Sequence, residues 1–304
     1  LSDPHPVLCD YEGSDYQQSF WDRGGRAYED AVEAIALRRL LPGAGSRLLD
    51  LGAGAGRNVP RYVGFEQVVL LDYSRTMLEQ AQARLGLGDR YLYVAADGYR
   101  LPFAAGLFDT VVMVRVLHHM ADPQAVLRQV GGVLGARGTF VLEFANKRNL
   151  KAIGRWVLRR QAWNPFSPEP IEFLPLHFDF HPGTVGGWLA DLGLTVERTL
   201  TVSHFRSAPL KRLVPLAWLV RFDAWAQLTG GLWQLTPSVF VRARADEKPP
   251  AAQGAFWRCP DCRSLALSRT EAGWACGGCG AVWEVRGGIH DFRRPLTGHG
   301  APKL

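Results

Sequence analysis

No stretch of about 18 uninterrupted apolar residues occurs in this 304-residue sequence, which argues against a membrane-spanning helix. The opening LSDPHPVLCDYEGSDY lacks the basic start and apolar run of a secretion signal. Lysine is scarce and confined to Lys147, Lys151, Lys211, Lys248 and Lys303, so arginine carries nearly all of the positive charge. The net charge of +6 permits nucleic acid or another anionic partner without requiring either. Arginine suits phosphate recognition, although genome composition alone produces the same bias. Apolar residues at 47% and charged residues at 21% are ordinary globular values and exclude disorder of the whole chain. Cysteine is also sparse. Four of the five fall between Cys259 and Cys279, and Cys9 stands alone as an expected free thiol. Clustered pairs without a signal segment point to a metal site in a reducing compartment, so a cytoplasmic location is expected.

The length suits one large domain and a smaller one. Residues 1–39 read as an arm followed by a helix, AYEDAVEAIALRRLL, which Pro42-Gly43 stops. A strand–helix alternation then runs over 40–245. Strands are expected at Arg47–Leu51, Val68–Leu71, Tyr91–Ala95, Thr110–Val116, Thr139–Phe144, Thr195–Val202 and Ser238–Ala243. Helices are expected at Asn58–Val63, Met77–Leu85 (capped by Ser74), Asp122–Leu134 and Thr184–Leu192. This rhythm predicts an α/β fold with a mainly parallel sheet and helices on both faces. Residues 246–255 read as a linker, 256–295 as a small second domain and 296–304 as a tail. No internal repeat is present.

The segment LLDLGAGAGRN carries the most information. A buried strand runs into Gly52, Gly54 and Gly56, which tolerate positive φ and let a ligand approach the backbone. Asp50 precedes them, where a carboxylate suits a ligand's ammonium group. Asp72 ends the second strand, placed to accept ribose hydroxyls. Asp97 ends the third, placed to accept from an adenine amino group. Any one of these is a common cap or surface charge; three at successive strand ends beside a glycine turn predict a nucleoside site. The spacing G-A-G-A-G departs from the G-x-G-x-x-G of dinucleotide folds, and an acid before the first glycine fits poorly beside a pyrophosphate.

On LLDLGAGAGRN, LLDYS, AADGYRLPF and FDTVVMVRVLHHMADP, the chain resembles the class I S-adenosylmethionine-dependent methyltransferases over roughly 40–244. The LPF…FD…VLHH form looks like the subgroup of quinone-biosynthesis and small-molecule methyltransferases. The resemblance implies a doubly wound, Rossmann-like sheet of seven strands whose last strand is antiparallel. It assigns Asp50, Gly52 and Gly54 to the methionine part of the cofactor, Asp72 to the ribose and Asp97 to the adenine.

Methyl transfer from a sulfonium needs chiefly the placement of the acceptor, and a base only where the acceptor must lose a proton. His118 and His119, after the fourth strand, are the candidates for that base, with a structural role the simpler reading. Arg115 stands nearby to orient a ligand. His177, Asp179 and His181 (HFDFH) share a face if extended, which suits a metal, a substrate contact or no role. Asn164-Pro165-Phe166 is a motif of nucleobase amino-methyltransferases, but it stands in the wrong place. The tryptophan-bearing stretch Leu210–Leu235 reads equally as a core helix or as an amphipathic lid for an apolar substrate or membrane surface. The basic run Lys147–Arg160 suits a solvated helix face or a nucleic-acid backbone.

Cys259-Pro-Asp-Cys262 and Cys276-Gly-Gly-Cys279 form two C-x-x-C turns, the donor set of a structural four-cysteine zinc site. In about 40 residues a metal stands in for a hydrophobic core. With its GGIHDF ending, this module resembles zinc ribbons of the methyltransferase-activator type, which assist enzymes acting on RNA or proteins. The sequence thus predicts an S-adenosylmethionine-dependent methyltransferase with a C-terminal zinc ribbon. A small acceptor, aromatic or lipophilic, is favoured. RNA is the alternative substrate, and a non-catalytic assembly partner the alternative of another class. A dehydrogenase ranks third.

Overall fold

The computed structural model describes residues 6–7, 12–14, 21, 25–247 and 254–297. Cys9, most of the expected N-terminal arm, the middle of the expected linker and the last seven residues lie outside the described residues.

Helix α1 (Ala27–Leu40) buries Val32, Ala36, Leu37 and Leu40, the stripe its spacing predicts. The sheet begins with β1 (Gly45–Leu51) and β2 (Phe65–Asp72). Between them the expected helix over 58–63 does not form. A single 3₁₀ turn, Val59–Arg61, takes its place. Pro60 removes a backbone donor, and Gly64, at φ +91°, turns the chain directly into β2, so no room remains for an α-helix. Helix α2 (Arg75–Leu85) starts where Ser74 Oγ accepts the Met77 N–H at 3.2 Å. Strands β3 (Tyr91–Ala95) and β4 (Phe108–Met113) follow. Helix α3 (Pro123–Val133) is capped by Asp122, which accepts the Ala125 N–H at 2.9 Å, and leads into β5 (Leu134–Ala145).

After β5 come α4 (Leu150–Val157), a hairpin of β6 (Ile171–Leu174) and β7 (His177–Asp179), α5 (Pro182–Asp191) and β8 (Leu194–Val202). Helices α6 (Ala208–Leu213) and α7 (Leu216–Ala226) precede β9 (Ser238–Ala245), which lies antiparallel between β5 and β8. The C-terminal module supplies β10 (Leu267–Arg269), β11 (Gly273–Cys276), β12 (Val282–Arg286) and β13 (Ile289–Asp291).

The sheet order is β10-β11-β12-β13-β3-β2-β1-β4-β5-β9-β8. The sheet therefore has eleven strands, not the seven expected. The reason is an edge. β13 runs parallel to β3, pairing Ile289 with Tyr93, His290 with Val94 and Asp291 with Ala95. The four C-terminal strands thereby cover an edge that would otherwise present unpaired N–H and C=O groups. Packing follows the pairing: Trp257, Trp283 and Phe292 belong to the same buried cluster as Phe103, Phe108 and Leu101. The Trp257 ring stacks on Phe103 at 5.6 Å, and Ala104 N–H donates to the Phe256 carbonyl.

Candidate active site

The carboxyl ends of β1, β2 and β4 open onto one cleft. Gly52, Gly54, Asp72, Arg115 and His119 line it, and Ala96 and Gly98 bring the ends of the third strand to its wall.

The glycine turn is fixed by close approach and by a carboxylate. Gly52 sits at φ +74°, where a Cβ would stand 2.2 Å from Val116 Cγ2. Gly54, at φ +53°, faces open space, and its N–H donates to Asp72 Oδ2 at 2.8 Å. Asp72 Oδ1 accepts the Ser74 N–H at 2.9 Å. One carboxylate thus ties the turn to the head of α2 and still borders the cleft.

Asp50, Gly56, Asp97 and His118 stand behind this surface rather than in its lining. Asp50 is 2% exposed, and burial pushes its carboxyl up to about 7, with the Tyr62 hydroxyl and the Arg57 charge partly offsetting the shift. Asp97 Oδ1 accepts the Tyr99 N–H at 2.8 Å, and its other oxygen lies 3.7 Å from Arg100. Gly56 packs toward Leu85.

The histidines form a stack. The rings of His118 and His119 lie 4.0 Å apart, and His177 meets His119 edge-on at 4.7 Å. Burial depresses His118 well below the usual imidazole range. Burial also holds His119 down at about 4, despite its hydrogen bond to the Leu176 carbonyl. Both rings are therefore neutral at pH 7. The HFDFH residues do not converge: His177 joins the stack, whereas His181 caps α5 by accepting the Gly183 N–H. Asn164 closes a local turn onto the Phe166 N–H.

Sequence reasoning missed the rim. Trp21 lies under the Arg57 guanidinium at 3.6 Å and near that of Arg115 at 5.2 Å. Arg57 pairs with Asp30 and, at 2.6 Å, with Glu33, while Arg115 reaches Glu33 at 3.4 Å. Arg115 itself adopts φ +62°, and its N–H donates to the buried Glu143 at 2.8 Å. The acidic Asp30 and Glu33 of α1 were legible as a helix face, but nothing in the sequence joins them to Arg57. Trp21 sits in a segment without periodicity.

At the far edge, four thiols gather. Cys259 and Cys279 sulfurs stand 3.7 Å apart, Cys262 and Cys276 3.5 Å, and all four fall within 4.8 Å of one another. These distances exclude S–S bonds of about 2 Å. They match the edges, about 3.8 Å, of a tetrahedron with Zn–S bonds of about 2.3 Å. Among the described residues this is the one cluster of metal-ligating side chains so placed.

The basic run divides. Lys147 is buried and donates to the Ser167 hydroxyl at 2.9 Å and the Glu169 carbonyl at 2.6 Å, and Arg148 reaches Gln234. Lys151, Arg159 and Arg160 are exposed. Trp218, Trp225 and Trp233 are exposed too, whereas Leu219 of the same stretch is buried in the core.

Residues 49–142 match the methyltransferase domain family. The 27-O-demethylrifamycin SV methyltransferase of Amycolatopsis mediterranei is 32% identical over 43% of this chain and 51% of its own length. The demethylmenaquinone methyltransferase of Clavibacter sepedonicus is 36% identical over 34% of this chain and 43% of its own. The chain thus spans about half or less of the length of these relatives. Among solved structures, an S-adenosylmethionine-dependent methyltransferase from Mesorhizobium loti is 25% identical, with a TM-score of 0.51 over 72% of this chain and all of that one. The matched segment, 49–142, contains the glycine turn and is similar to a methyltransferase domain, and the likeness to the solved structure lies in a Rossmann-like α/β fold.

Proposed function

We propose that this chain is an S-adenosylmethionine-dependent methyltransferase acting on a small aromatic or lipophilic acceptor. The observation that carries the reading is Asp72, a strand-end carboxylate that borders the cleft while its oxygens hold the Gly54 and Ser74 amides. When bound, the cofactor supplies an electrophilic methyl on a sulfonium. The protein's own residues do the rest. Asp72 accepts from the ribose, and Gly52 and Gly54 leave the backbone open to the methionine part. Asp50 stands behind the turn, where a bound ammonium would draw its buried carboxyl toward the ionised form, and the Asp97 strand end borders the adenine. Trp21, beside Arg57 and Arg115, closes the rim and excludes water.

His119 borders the cleft as a neutral ring, so its part is to position the acceptor; at about 4 its affinity for a proton is too low for strong base catalysis at pH 7. Beyond it lie His177 and then Phe173, whose rings stand 5.9 Å apart, with Phe173 half exposed. This aromatic file, leading from the cleft outward, favours an apolar acceptor. The named substrates of the two relatives, a rifamycin and a menaquinone precursor, favour a small molecule as well. The buried Lys147 removes one cation from any nucleic-acid track. The four cysteines are proposed to hold one structural zinc, in a ribbon (256–295) docked on the 40–245 unit.

Tritiated methyl donor, incubated with the protein and fractionated extract, tests the acceptor class. Label that moves into organic solvent is expected; label that only nuclease releases would replace the small acceptor with RNA.

A further inference from the structure

Helix α7 buries an acid and exposes most of its aromatic side chains. Its one acidic residue, Asp223, is 0% exposed and faces α1, accepting from the Tyr28 hydroxyl at 2.6 Å, the His204 N–H at 2.7 Å and the Gln227 amide at 3.1 Å. Leu219 is the one large apolar side chain of α7 that is buried; the largest are exposed, Trp218 at 53%, Phe222 at 52% and Trp225 at 73%. The pattern continues beyond the helix through Leu232, 79% exposed, and Trp233. There the chain meets α4: Leu150 N–H donates to the Leu235 carbonyl at 2.9 Å. Helix α4 repeats the arrangement, burying Ala152 and leaving Leu150, Val157 and Leu158 exposed.

The charges in these segments are of one sign. Residues 146–166 contain no Asp or Glu, and residues 204–235 contain only the buried Asp223. Exposed cations stand among the apolar residues at Lys151, Arg155, Arg159, Arg160, Arg212 and Arg221. Among the described residues none of these has a carboxylate within salt-bridge reach.

We propose that α4 and the α7–Trp233 segment form one surface that seats on an anionic lipid bilayer. Exposed tryptophan and aliphatic side chains interleaved with exposed arginine and lysine are what an interfacial segment needs: apolar groups enter the acyl boundary and cations meet the headgroups. A second copy of the chain would bring cation against cation. A nucleic-acid strand would leave Leu158 and Leu232 without a partner, since these cannot stack on bases. No helix of the described residues is long and apolar enough to cross a membrane, so the surface rests on the bilayer rather than spanning it. The inference stands apart from the proposed reaction.

The test is co-sedimentation of the full chain with vesicles of phosphatidylcholine alone or with about 30% phosphatidylglycerol. Binding to the anionic vesicles is expected, with little to the neutral ones, together with a blue shift of tryptophan emission. The double variant Arg159→Ala/Arg160→Ala should bind about 30-fold more weakly, taking about 1 kcal/mol per cation at the surface. Trp218→Ala/Trp225→Ala should also lose binding while its melting temperature stays unchanged, because both rings are exposed. Failure to bind anionic vesicles would overturn the proposal. So would equal binding of the arginine variant, or self-association in sedimentation velocity that the tryptophan variant abolishes.

Discussion

Trp257→Ala tests whether the C-terminal module is part of the main core or a lobe beside it. Trp257 is 8% exposed and packs against Phe103 at 5.6 Å, Phe292 at 4.9 Å and His290 at 5.1 Å. Phe103 lies before β4, and Phe292 and His290 at β13 of the C-terminal module, so the indole joins the two parts of the sheet. Truncating a buried Trp costs roughly 3–5 kcal/mol, and the site cannot collapse easily between two paired strands. About 4 kcal/mol at 2–4 °C per kcal/mol lowers the melting temperature by roughly 10 °C. The assay is thermal unfolding by circular dichroism, with amide exchange followed at Tyr91–Ala95. The β3 amides should lose protection along with the ribbon, because β13 is their cover. A shift of under about 3 °C with β3 protection unchanged would refute the reasoning: the ribbon would then be an independent unit.

Elemental analysis should find one zinc per chain, and a chelator should lower the melting temperature of the whole chain rather than of the C-terminal module alone; iron or no metal would contradict the zinc assignment. Asp50→Asn should change the pH dependence of stability. The folded carboxyl sits at about 7, above its unfolded value, so the parent's stability is intact at about pH 4 and falls as pH rises toward 7. The Asn variant should lack that fall and gain up to about 4 kcal/mol on the parent between pH 4 and pH 8 in urea titrations. Parallel curves across that range would sink the assignment of a buried, neutral-prone Asp50.

The parts of the fold that repeat a local pattern were legible in the sequence. Alternation of buried strands with capped helices located β1 to β5, β8 and β9, and Ser74 and Asp122 cap the helices they precede. The aspartates at strand ends were legible because a strand end is a local feature. The extra sheet edge was not, because β13 and β3 are separated by almost 200 residues and parallel pairing leaves no turn signature between them. The missing helix after the glycine turn was a local competition in which Pro60 and Gly64 outweighed the strand–helix rhythm. The orientation of α7 could not be read because Trp and Leu at helical spacing describe a buried face and a lipid-seeking face equally well. Only Tyr28 and His204, reaching Asp223 from elsewhere in the chain, decide which side faces in. The Trp21 rim needed the same kind of long-range contact.

The central claim is that the cleft behind Asp72 holds S-adenosylmethionine, and calorimetry with S-adenosylhomocysteine on the metal-replete full chain tests it most directly. Saturable 1:1 binding is predicted. Asp72→Ala, shown to be folded by its melting curve, should bind at least about a hundredfold more weakly, since two hydrogen bonds to a charged group contribute roughly 1.5–3 kcal/mol each. A folded parent protein that binds no S-adenosylhomocysteine would contradict the account.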